Sequence, residues 1–137
     1  MLCSETLIVE KLAKKLLVLG YDVYSNFRFM GLEFDVMAVE LSKEFWRPLV
    51  HIFEVKVRAK PKIVDQIEKR LGMADYLYIV VPYGLYPWIL RKINNLTGVI
   101  IYKDDDLYVF KTPVFIGNGY RILMRMRYFK EQTRYTD

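Results

Sequence analysis

The stretch Leu49-Val50-His51-Ile52-Phe53-Glu54-Val55-Lys56-Val57 carries the strongest strand signal in the chain. Its apolar and β-branched residues alternate with a period of two, which puts Glu54 and Lys56 on one face and Phe53, Val55 and Val57 on the other. An acid and an amine two apart inside an otherwise apolar strand are costly to desolvate unless they are paired or functional. Before it, a loop over 42–48 follows a second alternating stretch, 32–41, which contains Glu33 and Asp35. If the two stretches form an antiparallel hairpin whose bend is centred between Glu44 and Phe45, Asp35 lies directly opposite Glu54. Opposed residues share a sheet face, with Cβ atoms roughly 5 Å apart. Two carboxylates that close repel unless a cation or a proton lies between them, and a divalent metal is the economical explanation. Glu33 points to the same face and is placed to help hold it.

Outward from this hairpin, Ser4 is a good N-cap, apolar residues recur at helical spacing from Ile8, and Gly20 supplies a stop, so a helix is expected over 5–19. Glu5 shares its stripe with Ile8, Val9, Leu12, Leu16 and Leu19, the face that must pack on the sheet, whereas Glu10 lies about 140° away on the lysine side. An acid at the start of that face can reach a sheet-borne site; complementing the helix N-terminus is the plainer role for it. Residues 21–29 read as extended and Met30-Gly31 as a turn. A helix is expected from Pro61 to near Gly72, a buried parallel-type strand over 76–81, a helix over 88–96, strands over 98–102 and 107–111, and a helix over 119–132. This order predicts an α/β protein, a mixed central sheet flanked by helices on both faces.

The chain has 137 residues, enough for one domain with a real core, and its 53% apolar and 15% aromatic content excludes a disordered or collagen-like chain. Cys3, the single cysteine, cannot form an internal disulfide and points to a reducing, intracellular setting. With His51 as the only histidine, a metal has to be held mainly by carboxylates, which suits magnesium or manganese. His51 is out of phase with Glu54 and receives no catalytic role. No signal-peptide pattern is visible, and the charge-free run 76–90 is too short and too interrupted by Pro82, Gly84 and Pro87 to span a bilayer. The expected protein is therefore cytoplasmic.

The net charge is +5, with 21 Lys and Arg against 16 Asp and Glu, which raises the odds of a polyanionic partner. Arg58, Lys60 and Lys62 follow the Glu54 strand and could contact phosphates, although a solvated loop is nearly as good a reading. Phe45 and Trp46 could stack on a base or a partner, or simply cover the end of the core. Residues 113–137 form a basic segment attached to a domain over 1–112. There Tyr120, Leu123, Met126 and Lys130 follow one helical stripe and Arg121, Arg125 and Arg127 lie off it, as in an amphipathic helix docked on the domain or a second subunit.

An early Glu5 on a helix, then Gly31-Leu32-Glu33-Phe34-Asp35, then Phe53-Glu54-Val55-Lys56, then a helix with Gln66, resembles the PD-(D/E)XK nuclease superfamily. That group has the restriction-endonuclease-like αβββαβ fold and includes archaeal Holliday-junction resolvases. The likeness covers 4–82; Phe34 stands where the name-giving pattern has Pro, and the 42–48 loop is long for this hairpin. The resemblance implies a metal-dependent DNA endonuclease, possible on branched or junction DNA and working as a homodimer without a small-molecule cofactor. It implies that Asp35, Glu54 and the Val55 carbonyl bind Mg²⁺ or Mn²⁺. Lys56 would orient the attacking water and offset charge on the phosphate, Glu5 would hold the outer water shell, and Gln66 would touch the site or the DNA backbone. The alternative is a catalytically inactive nucleic-acid-binding or assembly module on the same fold.

Overall fold

The computed structural model describes residues 4–41 and 43–126. The element order is α1 (Glu5–Val18), β1 (Asp22–Phe29), β2 (Leu32–Glu40), β3 (Leu49–Val55), α2 (Lys62–Arg70), β4 (Tyr76–Pro82), α3 (Tyr86–Lys92), β5 (Gly98–Lys103), β6 (Asp106–Lys111) and α4 (Tyr120–Leu123). Six strands form one sheet in sequence order, β1 to β6. β1, β2 and β3 are antiparallel neighbours, β3–β4 and β4–β5 are parallel, and β5–β6 is an antiparallel hairpin. The protein is thus an α/β domain with a mixed sheet flanked by helices, as the element order predicts.

Each sheet face carries its own apolar layer. On one, Ile8, Leu12 and Leu16 of α1 pack on Val36, Ala38, Phe53, Val55, Val80 and Ile100. On the other, Ile63 and Ile67 of α2, Ile89 of α3 and Ile122 pack on Met37, Ile52, Leu77, Ile79 and Ile101. Because the chain steps from β3 to β4 to β5 in one direction, two crossovers of the same hand put α2 and α3 on the same face. Every residue of β3 is buried, which explains why it reads as the strongest strand. Lys11 and Lys15 of α1 pair with Asp105 and Asp106 at the β5–β6 turn, at 2.7 and 3.2 Å, and tie the helix to that edge.

The β2–β3 register runs from Val36 opposite Phe53 to Glu40 opposite Leu49, the pairing of a hairpin centred between Glu44 and Phe45. Other expectations need correction. α1 ends at Val18, because Gly20 takes a φ of +94°, so Leu19 is 66% exposed and leaves the buried stripe, where Ala13 replaces it. β3 stops at Val55, so Lys56 and Val57 lie beyond the strand. α3 begins earlier and ends earlier than 88–96. Pro87 sits in its first turn, where a missing N–H is harmless, and the Asn94 side chain captures the Leu96 and Thr97 N–H groups in a turn. α4 covers Tyr120–Leu123, and Ile122, not the Tyr120 stripe, is its fully buried residue. Arg127, Lys130 and the rest of the expected helix over 119–132 lie outside the described residues. No described helix is long and apolar enough to cross a membrane.

Candidate active site

The β2–β3 ladder ends at Val36 and Phe53. One step further, the backbone donors bond to side chains instead of to the facing strand. The Asp35 N–H donates to Glu54 Oε2 at 3.1 Å, and the Val55 N–H donates to Asp35 Oδ2 at 2.7 Å. The two carboxylates are thereby locked side by side at the C-terminal end of β3. Open α/β sheets place their ligands at this end of the parallel strands.

Both acids are electrostatically loaded. Burial, then the Asp35 charge, pushes the Glu54 carboxyl up from 4.5 to about 7, against the pull of Arg70, the Asp35 N–H and Lys56. Burial also raises Asp35 above the usual carboxylate range; the Val55 N–H, Lys56 and Arg70 oppose this, while Glu5 adds to it. Glu54 is only 2% exposed, so its charge depends on a nearby cation.

Part of that cation is supplied by Arg70, a residue the sequence reading overlooks. Its Nε lies 3.3 Å from Glu54 Oε1, and its two terminal nitrogens donate to the Gln66 and Glu33 carbonyl oxygens, the latter at 2.8 Å. The guanidinium also lies over the Phe34 ring, 5.7 Å from its centroid. The signal was available, since Ile63, Ile67 and Arg70 form the buried stripe of α2. An arginine there needs an acceptor inside the core. Glu33 uses its carboxylate elsewhere, on Arg28 at 3.0 Å, so it does not reach the site as expected.

Lys56 follows the pair directly. Its N–H bonds the Val80 carbonyl at 3.0 Å, and its side chain lines an open cleft of about 260 Å³ with Glu5, Arg58, Lys60, Lys62 and Gln66. Gln66 Oε1 is buried there without a hydrogen-bond partner among the described residues. The chain thus brings Asp35, Glu54 and Val55 together, with Lys56, Glu5, Gln66, Arg58, Lys60 and Lys62 alongside. Among the described residues no three His, Cys, Asp or Glu side chains form a metal cluster; the Glu5 charge acts on Asp35. Asp35 and Glu54, which do not themselves line the cleft, are hard carboxylate donors of the kind Mg²⁺ takes, commonly one or two together with substrate phosphates.

His51 sits on the α1 face among Tyr21, Phe53 and Tyr78. Its Nε2 lies 2.7 Å from Glu40 and its Nδ1 3.0 Å from the Tyr78 hydroxyl, and burial holds its pKa below the ordinary value. Phe45 packs against Phe115, with rings 5.7 Å apart, and Arg47 lies over both Phe45 and Trp46. Phe45 is thus half-buried against Phe115, while Trp46 is exposed.

Neither a protein-family profile nor a curated protein matches the chain. Among solved structures it is similar to a protein of unknown function from Silicibacter pomeroyi, at a TM-score of 0.58 and 18% identity over 89% of this chain and 90% of that one. At that identity the likeness shows the fold alone.

Proposed function

We propose that this protein is a divalent-metal-dependent DNA endonuclease of the PD-(D/E)XK kind, acting as a homodimer on branched or junction DNA. The observation that carries the reading is the adjacent Asp35 and Glu54 carboxylates, which accept from the Val55 and Asp35 N–H groups, with Lys56 just beyond Val55 at a cleft lined by cations. Asp35, Glu54 and the Val55 carbonyl would hold Mg²⁺ or Mn²⁺; such an ion polarises the phosphoryl oxygen and makes hydroxide available near neutral pH. Lys56 orients the attacking water and offsets charge developing on the phosphate. Gln66 offers its unpartnered carbonyl oxygen to that water or to the ion's water shell, which Glu5 also reaches. Arg58, Lys60 and Lys62 take the flanking phosphates.

One observation favours a second reading, a nucleic-acid-binding module without activity. Arg70 already neutralises Glu54 in part, so a structural ion pair accounts for some of the acidic cluster. Incubating the protein with linear, supercoiled and four-way-junction DNA separates the two. Cleavage that needs Mg²⁺ or Mn²⁺ and disappears in Lys56→Ala is the result expected of the nuclease. DNA binding indifferent to chelator, with every substrate left intact, would establish the binding module instead.

A further inference from the structure

Because β3, β4 and β5 are parallel, their C-terminal ends share one edge of the sheet, and the residues leaving β4 and β5 lie on the same side of the molecule as Lys56. At that edge Tyr83, Lys103, Tyr108 and Phe110 line an open pocket with Ile101, and Asp104 is the acid beside them. The three rings are 49, 52 and 54% exposed. Tyr83 packs on Tyr86 at 5.3 Å and Tyr86 on Phe110 at 5.1 Å, so rings are held in place before anything binds. Lys103 Nζ stands 4.4 Å from the Tyr83 ring centroid. Tyr108 pairs with Ile101, whose side chain joins the layer under α2 and α3, the face on which Glu54 meets Arg70.

Exposed, pre-ordered aromatic rings beside a lysine are the equipment with which proteins hold unpaired bases: each ring stacks on a base and the cation meets its phosphate. A second copy adding a strand to β6 is the other occupant to consider. The register shift between Val99 and Ile100 disrupts β6 opposite this exposed stretch, and bulges of that kind protect edge strands from such pairing. Val55, Val80 and Ile100 lie side by side and Lys56 is one residue on, so Lys103 is two strands over from Lys56 and two residues further along. That offset is about 12 Å, which one DNA strand stacked at duplex spacing covers in about four nucleotides.

We propose that Tyr83, Tyr108 and Phe110 form a stacking platform for unpaired bases, selecting DNA that carries a single-stranded segment of about four nucleotides or more beside the duplex held at Lys56. The proposal deepens the nuclease reading and rests on it for the position of the duplex. Fluorescence anisotropy in chelator tests it, comparing a blunt duplex with the same duplex bearing thymidine tails shorter and longer than about four nucleotides. Long tails are expected to tighten binding about tenfold and short ones hardly at all. Tyr83→Ala with Tyr108→Ala should lose that gain and leave blunt-duplex binding unchanged, whereas Phe at both positions should keep it. Lys103→Glu, an exposed change, should also reduce it. A tail that adds nothing in the wild type, or a gain that survives the double alanine variant, overturns the platform. So does a dimer that the double variant converts to monomer in sedimentation, since the rings would then belong to an interface between copies. Tail binding without any duplex binding would instead remove the Lys56 cleft from the nuclease reading and leave the platform standing.

Discussion

Asp35 and Glu54 each place a carboxylate oxygen on a backbone N–H of the facing strand, 3.1 Å from the Asp35 nitrogen in one direction and 2.7 Å from the Val55 nitrogen in the other. The side chains assigned to the chemistry therefore also close the sheet. An amide oxygen can accept the same bonds, so Asp35→Asn and Glu54→Gln should keep the fold while removing the negative charge. Metal-dependent DNA cleavage is expected to fall on the order of 100-fold or more in each. Circular dichroism should stay near wild type, and so should melting near pH 5, where the Glu54 carboxyl is itself largely protonated. Cleavage at wild-type rate in both would remove the assigned chemistry.

The Glu54 carboxyl ties stability to pH. Its folded pKa, about 7, lies above the ordinary 4.5, so between those values the folded chain holds a proton that the unfolded chain has released. Stability from this group is full below pH 4.5 and is lost as pH rises through 7, a loss of about 3 kcal/mol in all. Urea denaturation in chelator across that window should show the decline, and Asp35, raised in the same direction, adds to it. Glu54→Gln should remove most of it, and Mg²⁺ should oppose it by binding the ionised form. A wild-type curve that is flat or rising over the window would contradict this arrangement.

The hairpin was legible because a strict two-residue alternation and a loop of fixed length leave one register that buries Val36, Ala38, Phe53 and Val55 together. That register alone places Asp35 beside Glu54. Arg70 was not legible in the same way: surrounded by Lys62, Asp65, Glu68 and Lys69, it looks like another surface charge until its position seven residues after Ile63 is noticed. Leu19 fails for a local reason, since apolar spacing continues past the point where Gly20 turns the backbone out of the helix. The boundaries of α3 fail because Pro87 and the Asn94 side chain, not apolar periodicity, decide where that helix starts and stops.

Arg70 should matter most when Glu54 is charged. Removing one member of a buried ion pair leaves the other uncompensated, at a cost of about 3–5 kcal/mol. In Arg70→Leu that cost can be avoided wherever Glu54 is protonated. The variant is expected to lose about 3 kcal/mol at pH 8 and much less at pH 5, with Arg70→Lys in between. Denaturation midpoints at the two pH values provide the check. An equal loss at both would mean that Arg70 acts through packing on Phe34 and its bonds to backbone carbonyls, not through Glu54.

At the opposite end of β3, Asp75 ties three segments together. Its buried carboxylate accepts from both terminal nitrogens of Arg47 at 2.7 Å, from the Val50 N–H at 2.8 Å and from the Gly119 N–H at 3.0 Å. Its carbonyl takes the Ile116 N–H at 2.7 Å, so the loop before β3, the head of β4 and the chain before α4 meet on one residue. Burial alone would raise this carboxyl, but the Arg47 and backbone donors outweigh it and hold it below the ordinary 3.8. Its stabilisation is therefore complete above that pH and is lost only as acid is added below it. Asp75→Ala strands the largely buried Arg47 and should cost about 3–5 kcal/mol. Gly119→Ala tests the same node from the other side: its Cβ would lie 2.3 Å from Asp75 Oδ2 and 2.8 Å from Val50 Cβ. It should cost about 1–3 kcal/mol through overpacking. Neither position touches the Lys56 cleft, so DNA cleavage per folded molecule should stay near wild type in both variants. A Gly119→Ala melting temperature equal to wild type would show that the chain before α4 is free to move away from Asp75.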